Sequence, residues 1–488
     1  MKPITLSSQE RYFFTLVKDT LTINPFKDER VLLDNKIADC VFGTSNKQSI
    51  ENAVVAVKDR IDALYAAGKG DFNLYCQNDR NIMEYAFTFA FFYHYRKQFD
   101  QFIQDQIEAG DKILPLPFAA SAKDFLKQHG FKHDEIKKII EESYQVRRAY
   151  YFINQIIGSS TVMKRLRADI WNNIFTHNLE IYRIYVKNRM DDFSTLILGE
   201  TGTGKGAVAS AIGRSGYIPF DMNSNCFTKS FIDIFISINL SQFPESLIES
   251  ELFGHRKGAF TGAVNNYDGI LAQCSQQGSI LLDELGEISL PLQVKLLQVL
   301  QERTFYPVGS HQKERFFGRV LGATNRSIYE LRHKHLFRDD FYYRLCSDII
   351  TVPPLRTRIK DDPNELYRLL QFITNKMIGK DSPQLLKLFK DEIHRNLGEH
   401  YQWPGNVREL EQCVRRILLK KEYREDDLLE NANIKIELLT GIEQGTITAN
   451  KLLGGYCKLL YERYGSFEKV AQLIQLDRRT VSKYIREC

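Results

Sequence analysis

Long apolar runs are missing from this sequence of 488 residues. The stretch from Ala86 to Phe92, interrupted by Thr88, is far shorter than the roughly 18 apolar residues that a membrane-spanning helix needs. The first ten residues contain one lysine and no apolar segment followed by small residues, so no secretory signal peptide is predicted. We therefore expect a cytoplasmic protein without a membrane partner.

Paired cysteines and a strong charge of one sign are also missing. The eight cysteines show no CxxC spacing, which argues against a zinc site or a disulfide framework. The formal net charge of +5 is too small for this length to indicate a nucleic-acid partner by itself. Basic residues are instead concentrated near the C-terminus, where residues 451–488 carry eight Lys or Arg against four acids.

The pattern along the chain changes several times. Residues 1–157 are rich in helix-forming and aromatic residues, with aromatic spacing typical of buried helices. From Phe193 onward, short apolar runs end in polar or glycine-rich loops and are followed by helical stretches, which predicts a parallel α/β sheet. Residues 358–432 return to a helical pattern, and 433–445 form a polar linker to a compact helical tail at 446–488. The fold class is therefore multidomain, with an α/β core between helical parts.

A phosphate-binding loop follows the first strand candidate, Phe193 to Leu198. Glycines allow the backbone N–H groups to point at phosphate oxygens, the following helix adds positive potential, and Lys205 can reach the β and γ phosphates of ATP. Gly206 stands where many such loops carry a Ser or Thr that binds Mg²⁺. The predicted nucleotide-binding residues of this loop are Gly199, Glu200, Thr201, Gly202, Thr203, Gly204, Lys205 and Gly206.

A second strand candidate, which starts at Gly278, delivers two carboxylates at its end, Asp283 and Glu284. This is the usual place for a metal-linked acid and a water-activating base. We predict that Asp283 holds Mg²⁺ through water and that Glu284 polarises the attacking water. Taken alone, the pair could also be an exposed acidic strand end.

The segment 249–263 resembles the signature of the sigma-54-dependent transcription activators, because it contains an unbroken GAFTGA hexapeptide. The resemblance implies a AAA+ ATPase domain over residues 158–432, with an α/β core to about residue 357 and a helical lid. In that family the hexapeptide lies at the tip of a mobile loop that contacts sigma-54 and transmits ATP-driven movement. The implied contact residues are Gly258, Ala259, Phe260, Thr261, Gly262 and Ala263.

Further motifs of the family occur in the expected order. By resemblance, Asn239 restrains the catalytic glutamate, and Thr324 with Asn325 forms the sensor I strand end. Arg338 and Arg344 would enter the ATP site of a neighbouring subunit, so the resemblance implies a ring oligomer, with six subunits expected. Guanidinium groups at that position neutralise charge on the transferred phosphoryl group. Arg408, in the WPGNVREL segment, would be the sensor II residue that contacts the nucleotide, and the PPLRTR segment ending at Arg358 is also family-like.

The tail predicts a helix-turn-helix. Helices are expected over Ala449 to Tyr464, after Ser466, and after Asp477, and they resemble the Fis-type DNA-binding domain of the same family. A merely structural bundle is the alternative. The residues predicted to contact double-stranded DNA are Arg478, Arg479, Thr480, Ser482, Lys483, Tyr484 and Arg486.

These patterns together predict an activator that binds upstream DNA and hydrolyses ATP to open promoters with sigma-54 RNA polymerase. By this resemblance residues 1–157 are a regulatory domain, although no phosphoacceptor pattern identifies their signal. Two alternatives remain: a different AAA+ machine, such as a chaperone or helicase, and a DNA-binding repressor with a vestigial ATPase.

Overall fold

The computed structural model describes residues 3–39, 46–334, 336–380, 382–398, 401–421, 438–442 and 445–487. Its N-terminal part is helical, as the sequence predicts. The helices are α1 (Ser8–Thr22), α2 (Asp28–Ile37), α3 (Asn46–Ala66), α4 (Gln77–His94), α5 (Arg96–Ala109), α6 (Ala119–Gln128) and α7 (His133–Asn154). The Leu114–Pro117 segment lies between α5 and α6, where proline was expected to interrupt the helices.

A five-stranded parallel sheet forms the centre of the next part, which confirms the predicted α/β core. Its strand order is β4-β5-β8-β1-β9, and every pair is parallel. The strands are β1 (Thr195–Leu198), β4 (Phe235–Asn239), β5 (Ser279–Asp283), β8 (Arg319–Thr324) and β9 (Asp348–Thr351). Two short hairpins pair β2 (Phe220–Asp221) with β3 (Cys226–Phe227) and β6 (Thr304–Phe305) with β7 (Glu314–Arg315).

Helices connect these strands. They are α8 (Thr161–Phe175), α9 (Leu179–Ile181), α10 (Lys205–Gly213), α11 (Glu245–Phe253), α12 (Ile270–Gln273), α13 (Leu290–Glu302), α14 (Ile328–His333) and α15 (Asp339–Leu345). The predicted helical lid contains α16 (Leu355–Asp361), α17 (Glu365–Ile378), α18 (Pro383–Leu397) and α19 (Asn406–Lys420). Residues 422–437 and 443–444, which include much of the predicted linker, lie outside the described residues.

The two faces of the sheet belong to two separate hydrophobic cores. Side chains alternate across a strand, so Ile197 of β1 joins one core while Leu196 and Leu198 join the other. The core that contains Ile197 continues without interruption into the N-terminal helices. Consistently, residues Met1–Ser382 and Gln402–Gln412 form one compact unit. The predicted boundary at residue 157 falls inside that unit, and the domain limits stay predictions.

The segment 214–233, between α10 and β4, makes several polar contacts with the N-terminal helices. The buried Glu141 of α7 accepts a hydrogen bond from the backbone N–H of Phe220 at 2.9 Å and one from the Tyr217 hydroxyl at 2.6 Å. The buried Arg148 donates to the carbonyl of Gly216 and packs against the ring of Tyr144. These contacts fix α7 against the α/β core.

The second compact unit contains residues Pro383–Tyr401 and Cys413–Cys488. The last three helices of this unit are Ala449–Tyr464, Phe467–Ile474 and Arg478–Glu487. Ser466 caps the second helix as predicted, by accepting from the backbone N–H of Lys469. Among the described residues, no helix of the chain is both long and apolar enough to cross a membrane.

Substitution of Phe227 tests whether the N-terminal helices and the sheet share one hydrophobic core. Its ring stacks on Tyr144 of α7 with centroids 4.1 Å apart, and only 3% of its surface is exposed. We expect Phe227→Ala to lower the free energy of unfolding by about 3–5 kcal/mol, because it removes a large buried ring. Thermal unfolding followed by near-ultraviolet circular dichroism measures this.

The matched control is Tyr12→Ala, since Tyr12 is 62% exposed and should change stability by no more than about 0.5 kcal/mol. In limited proteolysis of Phe227→Ala, cleavage should rise in both the N-terminal helices and the ATPase core. If only one part became sensitive, the two would not share a core.

Candidate nucleotide site and coupling loop

The parallel sheet brings the predicted nucleotide residues to one edge. The phosphate loop follows β1, Asp283 ends β5, Thr324 ends β8 and Asn239 ends β4. Because parallel strands point their carboxyl ends the same way, these side chains gather at the same edge. Asn325 confirms the convergence, since its amide nitrogen lies 3.4 Å from the hydroxyl of Thr201 in the phosphate loop.

Lys205 begins helix α10 at the end of the phosphate loop. Gly204 precedes it with a φ of 103°, a left-handed conformation that favours glycine. The Lys205 ammonium donates to the carbonyl of Gly199 at 2.9 Å, and only 8% of the residue is exposed. Burial lowers the pKa of Lys205, while the Glu284 and Asp283 carboxylates act in the opposite direction. A cation held in this loop can meet the phosphates of a nucleotide.

Two glycines of the loop have different roles. Gly202 has a φ of 80°, and a Cβ there would lie 2.2 Å from the carbonyl oxygen of Gly405 and 2.9 Å from Cβ of Arg408. Only glycine therefore fits between the loop and the predicted sensor II segment. A Cβ on Gly206 would meet nothing within 4 Å, so space does not require glycine there.

The two acidic residues at the end of β5 differ in environment. Asp283 accepts the backbone N–H of Glu284 at 3.0 Å. Glu284 itself has a φ of 56°, an unusual backbone conformation for a residue with a side chain. Burial raises the pKa of its carboxyl, the neighbouring Lys205 opposes the rise, and Asp283 adds to it. A carboxylate whose pKa is raised in this way is suited to act as a base toward water.

The site fits a magnesium ion bound to nucleotide. Mg²⁺ usually keeps several waters and uses one or two carboxylates together with substrate phosphates. Asp283 supplies one such carboxylate, whose Oδ2 forms no hydrogen bond within the described part of the chain. No group of three or more His, Cys, Asp or Glu that could form an all-protein metal cage exists among the described residues.

The predicted roles of Asn239 and Thr324 are only partly reflected in their contacts. The amide oxygen of Asn239 accepts from the backbone N–H and the hydroxyl of Ser241, at 3.0 and 2.8 Å. Within the described residues its amide nitrogen donates to no oxygen of Glu284. Its Cα is nevertheless in register with that of Asp283 across β4 and β5. Thr324 is fully buried and its hydroxyl accepts the backbone N–H of Arg326 at 3.2 Å.

An ion pair that the sequence analysis missed joins the phosphate loop to the lid. Arg356 of α16 forms a bidentate pair with Glu200, with one N–O distance of 2.8 Å. The buried Asn406 donates to Glu200 at 3.2 Å and to the carbonyl of Thr201 at 3.0 Å. Its amide oxygen accepts the backbone N–H of Leu355 at 2.7 Å. Arg356 lies in the PPLRTR segment and Asn406 lies in the WPGNVREL segment. These two motifs were the sequence signal that could have indicated the contact.

The two predicted arginine fingers are hydrogen-bonded to residues of the same domain. The Arg338 guanidinium forms a bidentate pair with Asp340, at 3.0 and 2.8 Å. Arg344 donates to the carbonyl of Leu300 at the end of α13, at 2.9 Å. Within the described residues neither side chain is hydrogen-bonded to the phosphate loop.

The GAFTGA hexapeptide forms a tight loop. The backbone N–H of Gly258 donates to the carbonyl of Ala263 at 2.8 Å, which closes the loop at its base. Gly258 and Gly262 have φ values of 83° and 102°, so glycine is required on both sides of the tip. Between them Phe260 is 39% exposed and Thr261 is exposed. The tip thus presents one aromatic ring and one hydroxyl to solvent.

A second loop supports the stem of the first. The N–H of Arg256 donates to the carbonyl of Val308, and the N–H of Val308 donates to that of Gly254, at 3.0 and 2.9 Å. The Arg256 side chain pairs with Glu314 and, at 3.4 Å, with Asp268. Arg256 stands where the family often has an acid, and these two carboxylates account for the basic residue.

Comparison with known proteins identifies the domain that holds these elements. Residues 175–351 match the sequence profile described as the sigma-54 interaction domain. The matched residues include the phosphate loop, the Asp283–Glu284 strand end and the GAFTGA hexapeptide. The predicted resemblance to sigma-54-dependent activators is confirmed.

Two curated relatives illustrate how far the likeness extends. The chain is 38% identical over 299 residues to the Nif-specific regulatory protein of Azotobacter vinelandii, covering 60% of this chain and 48% of that protein. It is 40% identical over 238 residues to the DNA-binding transcriptional regulator NtrC of Azospirillum brasilense, covering 49% and 45%. The chain therefore spans about half the length of these relatives.

Likeness to solved structures is weaker. NtrX from Brucella abortus is 20% identical, with 75% of this chain and 79% of that chain covered and a TM-score of 0.39. That level of similarity supports no conclusion about sites or activity.

The tail outside the sigma-54 interaction domain presents part of its predicted DNA-binding set. Arg479 and Lys483 are exposed on the last helix, whereas Arg478 pairs with Glu468 at 3.0 Å. The Thr480 hydroxyl donates to Asp477, which caps the helix, so that hydroxyl has an internal partner. Ser482 and Tyr484 are half-buried, and the side chain of Arg486 lies outside the described part of the structure.

Glu284 gives the first prediction for this site. Glu284→Gln keeps the shape but removes the base, so we expect nucleotide affinity to stay within about threefold while ATP turnover falls by roughly 10²–10⁴-fold. A phosphate-release assay with a parallel nucleotide titration measures both. Glu302→Gln, an exposed position that pairs with Lys313 on the β6–β7 side, should leave turnover unchanged. Wild-type turnover in Glu284→Gln would remove Glu284 from the mechanism.

The Glu200–Arg356 ion pair gives the second prediction for this site. Both side chains are about two-fifths exposed, so their coupling should be in the surface range of about 0.2–1 kcal/mol, or up to about fivefold in nucleotide affinity. Calorimetric ADP titration of Glu200→Gln, Arg356→Gln and the double variant measures it. The double variant should bind no more weakly than the worse single one. Strict additivity would show that the pair does not link loop and lid, and Lys295→Gln, in an exposed pair with Glu249, is the control.

Proposed function

We propose that this protein is an ATP-hydrolysing transcription activator that remodels sigma-54 RNA polymerase from the closed to the open promoter complex. The observation that carries the proposal is that an exposed Phe260–Thr261 tip, the phosphate loop with Lys205 and the Asp283–Glu284 strand end all lie within residues 175–351, which match the sigma-54 interaction domain. The related Nif-specific regulatory protein and NtrC are both regulators by name. ATP and Mg²⁺ are the cofactors in this account.

Each residue of the site has a defined task in the proposed hydrolysis. The phosphate loop and Lys205 hold the β and γ phosphates, and Asp283 would hold Mg²⁺. Mg²⁺ supplies charge neutralisation on the phosphates when it is bound. Glu284 accepts a proton from the attacking water, whose oxygen bonds to the γ phosphorus as the bond to ADP breaks. Thr324 and Asn325 lie beside this position, and Arg408 contacts the nucleotide from the lid.

The chemistry needs a second subunit in this proposal. Among the described residues, Arg356 is the only arginine that is hydrogen-bonded to the phosphate loop of its own chain, and it is paired there with Glu200. Arg338 or Arg344 of a neighbouring copy would supply the positive charge that stabilises the transferring phosphoryl group. A closed ring, with six subunits expected, gives every site such a neighbour.

The tail supplies the link to DNA. Its last helix carries exposed Arg479 and Lys483 after a capped start at Asp477, an arrangement suited to phosphate contacts in a major groove. Binding upstream DNA would raise the local concentration of the motor near its polymerase. The N-terminal residues 1–157 are proposed to regulate the motor through the contacts with α7.

The tip loop separates this function from that of another AAA+ machine. Thr261→Ala removes an exposed hydroxyl without touching the nucleotide site, so ATP turnover should remain within about twofold of wild type. Retention of purified sigma-54 on a native gel, with ADP and aluminium fluoride as a transition-state mimic, should be lost. Asn265→Ala, exposed just beyond the hexapeptide, should retain sigma-54.

Three outcomes would overturn the assignment. If Thr261→Ala retained sigma-54 as well as wild type, the tip would not be the contact. If the wild-type chain hydrolysed ATP but never retained sigma-54, a different AAA+ machine would be favoured. A chain that released no phosphate at all would favour the repressor with a vestigial ATPase.

A further inference from the structure

A large cavity lies between the N-terminal helices and α8. Its volume is about 820 Å³, and its walls come from α1–α5 and α7 on one side and from α8 with residues 179–183 on the other. Packed protein interiors leave few voids larger than a water molecule, whereas pockets for organic ligands span about 300–1,000 Å³. None of its lining residues belongs to the phosphate loop, the strand-end carboxylates or the GAFTGA tip.

Aromatic rings form flat apolar walls in this cavity. Phe26 stacks on Tyr150 with centroids 5.3 Å apart, and its edge meets Trp171 at 5.9 Å. Trp171 is 4% exposed, and Phe26 and Tyr150 are half-buried. These walls would bury the apolar body of an organic ligand.

Positive charge exceeds negative charge around the cavity. Eight Lys or Arg line it, against five Asp or Glu. Three of the five acids are already paired with lining arginines: Asp34 with Arg30 at 3.0 Å, Asp100 with Arg147 at 2.7 Å, and Glu142 with Arg183 at 2.7 Å. The other two, Asp28 and Glu51, are exposed. The half-buried part of the wall therefore has no acid left to compensate further cations.

Two half-buried arginines of the wall form no ion pair within the described residues. Arg167 donates to the carbonyl of Ile156 at 2.9 Å, and burial lowers the pKa of its guanidinium. Glu365 opposes this lowering, but its carboxylate is already paired with the buried Arg358. Arg96, on the opposite wall, lies over the ring of Tyr93 at 5.7 Å from the centroid. A half-buried cation without a carboxylate of its own is unfavourable. An anion between these walls would relieve that cost.

We propose that this cavity binds a small amphipathic organic anion, with its acidic group near Arg96 and Arg167 and its apolar body against Phe26, Tyr150 and Trp171. The carboxylate or sulfonate class satisfies both features. The proposal does not depend on the proposed ATPase function, because binding is measured without nucleotide.

Occupancy would be sensed by the ATPase core through α8. One side of this helix carries Arg167 and Trp171 into the cavity. Another residue of the same helix, Asn173, donates to the hydroxyl of Thr195 in β1 at 2.9 Å, and Arg319 of β8 donates to Asn173 at 2.9 Å. A ligand that moved or stiffened α8 would therefore act directly on two central strands of the sheet.

The test uses 8-anilinonaphthalene-1-sulfonate, a fluorescent organic anion, and the full-length chain. We expect saturable binding of about one probe per chain. Arg167→Gln and, on the other wall, Arg96→Gln should each weaken binding at least fivefold. Arg165→Gln is the matched control, because Arg165 is exposed on the same helix and does not line the cavity. Near-ultraviolet circular dichroism checks that each variant is folded.

Two further arms define the ligand. The uncharged analogue N-phenyl-1-naphthylamine should bind at least tenfold more weakly than the sulfonate. Unlabelled 2-naphthoate and decanoate are then added as competitors, and the better one shows whether the natural body is a flat ring or an acyl chain. Equal binding by Arg165→Gln, Arg167→Gln and Arg96→Gln, equal binding of the uncharged analogue, or displacement by neither acid would overturn the proposal.

Discussion

Parallel pairing of five strands is the constraint on which the candidate site depends. Because all five strands point the same way, the phosphate loop after β1, the acids after β5 and the polar ends of β4 and β8 share one edge. The order β4-β5-β8-β1-β9 places β8 between β1 and β5, so Asn325 reaches Thr201 while Asp283 and Glu284 influence Lys205. No single loop could hold these groups without the sheet. From the lid, Arg356 and Asn406 donate hydrogen bonds to Glu200 and Thr201 of the phosphate loop.

The same sheet binds the N-terminal helices to the motor. Its Ile197 face shares a core with them, and α7 adds the buried Glu141 and Arg148 on the segment 214–233. That segment lies between α10, which begins at Lys205, and β4, which ends at Asn239. The segment therefore connects the N-terminal helices to elements on both sides of the candidate nucleotide site. The cavity against α8 offers a place where a small molecule could bind beside the N-terminal helices.

Sequence reasoning was strongest where a motif has a fixed local geometry. The phosphate loop, the Asp283–Glu284 strand end, the GAFTGA tip and the start of the helix after Ser466 all follow from neighbouring residues. Contacts between distant segments could not be read in the same way. The Glu200–Arg356–Asn406 cluster joins three separate motifs, and the partners of Arg256 are 12 and 58 residues away. The docking of α7 depends on the shape of a shared core, which periodicity does not specify. The hydrogen bond from the Thr480 hydroxyl to Asp477 is a local capping contact, and the DNA contact of Thr480 stays a prediction.

Promoter opening is the most direct test of the central claim, that ATP hydrolysis in this domain acts on sigma-54 polymerase. Permanganate reactivity of unpaired thymines would be measured on a sigma-54 promoter with its holoenzyme, the wild-type chain and either ATP or a non-hydrolysable analogue. A sigma-70 promoter with its own holoenzyme serves as the reference. The account predicts new reactivity only with sigma-54 holoenzyme and ATP. Reactivity that is independent of hydrolysis, or absent although the chain turns over ATP in the same tube, would contradict it.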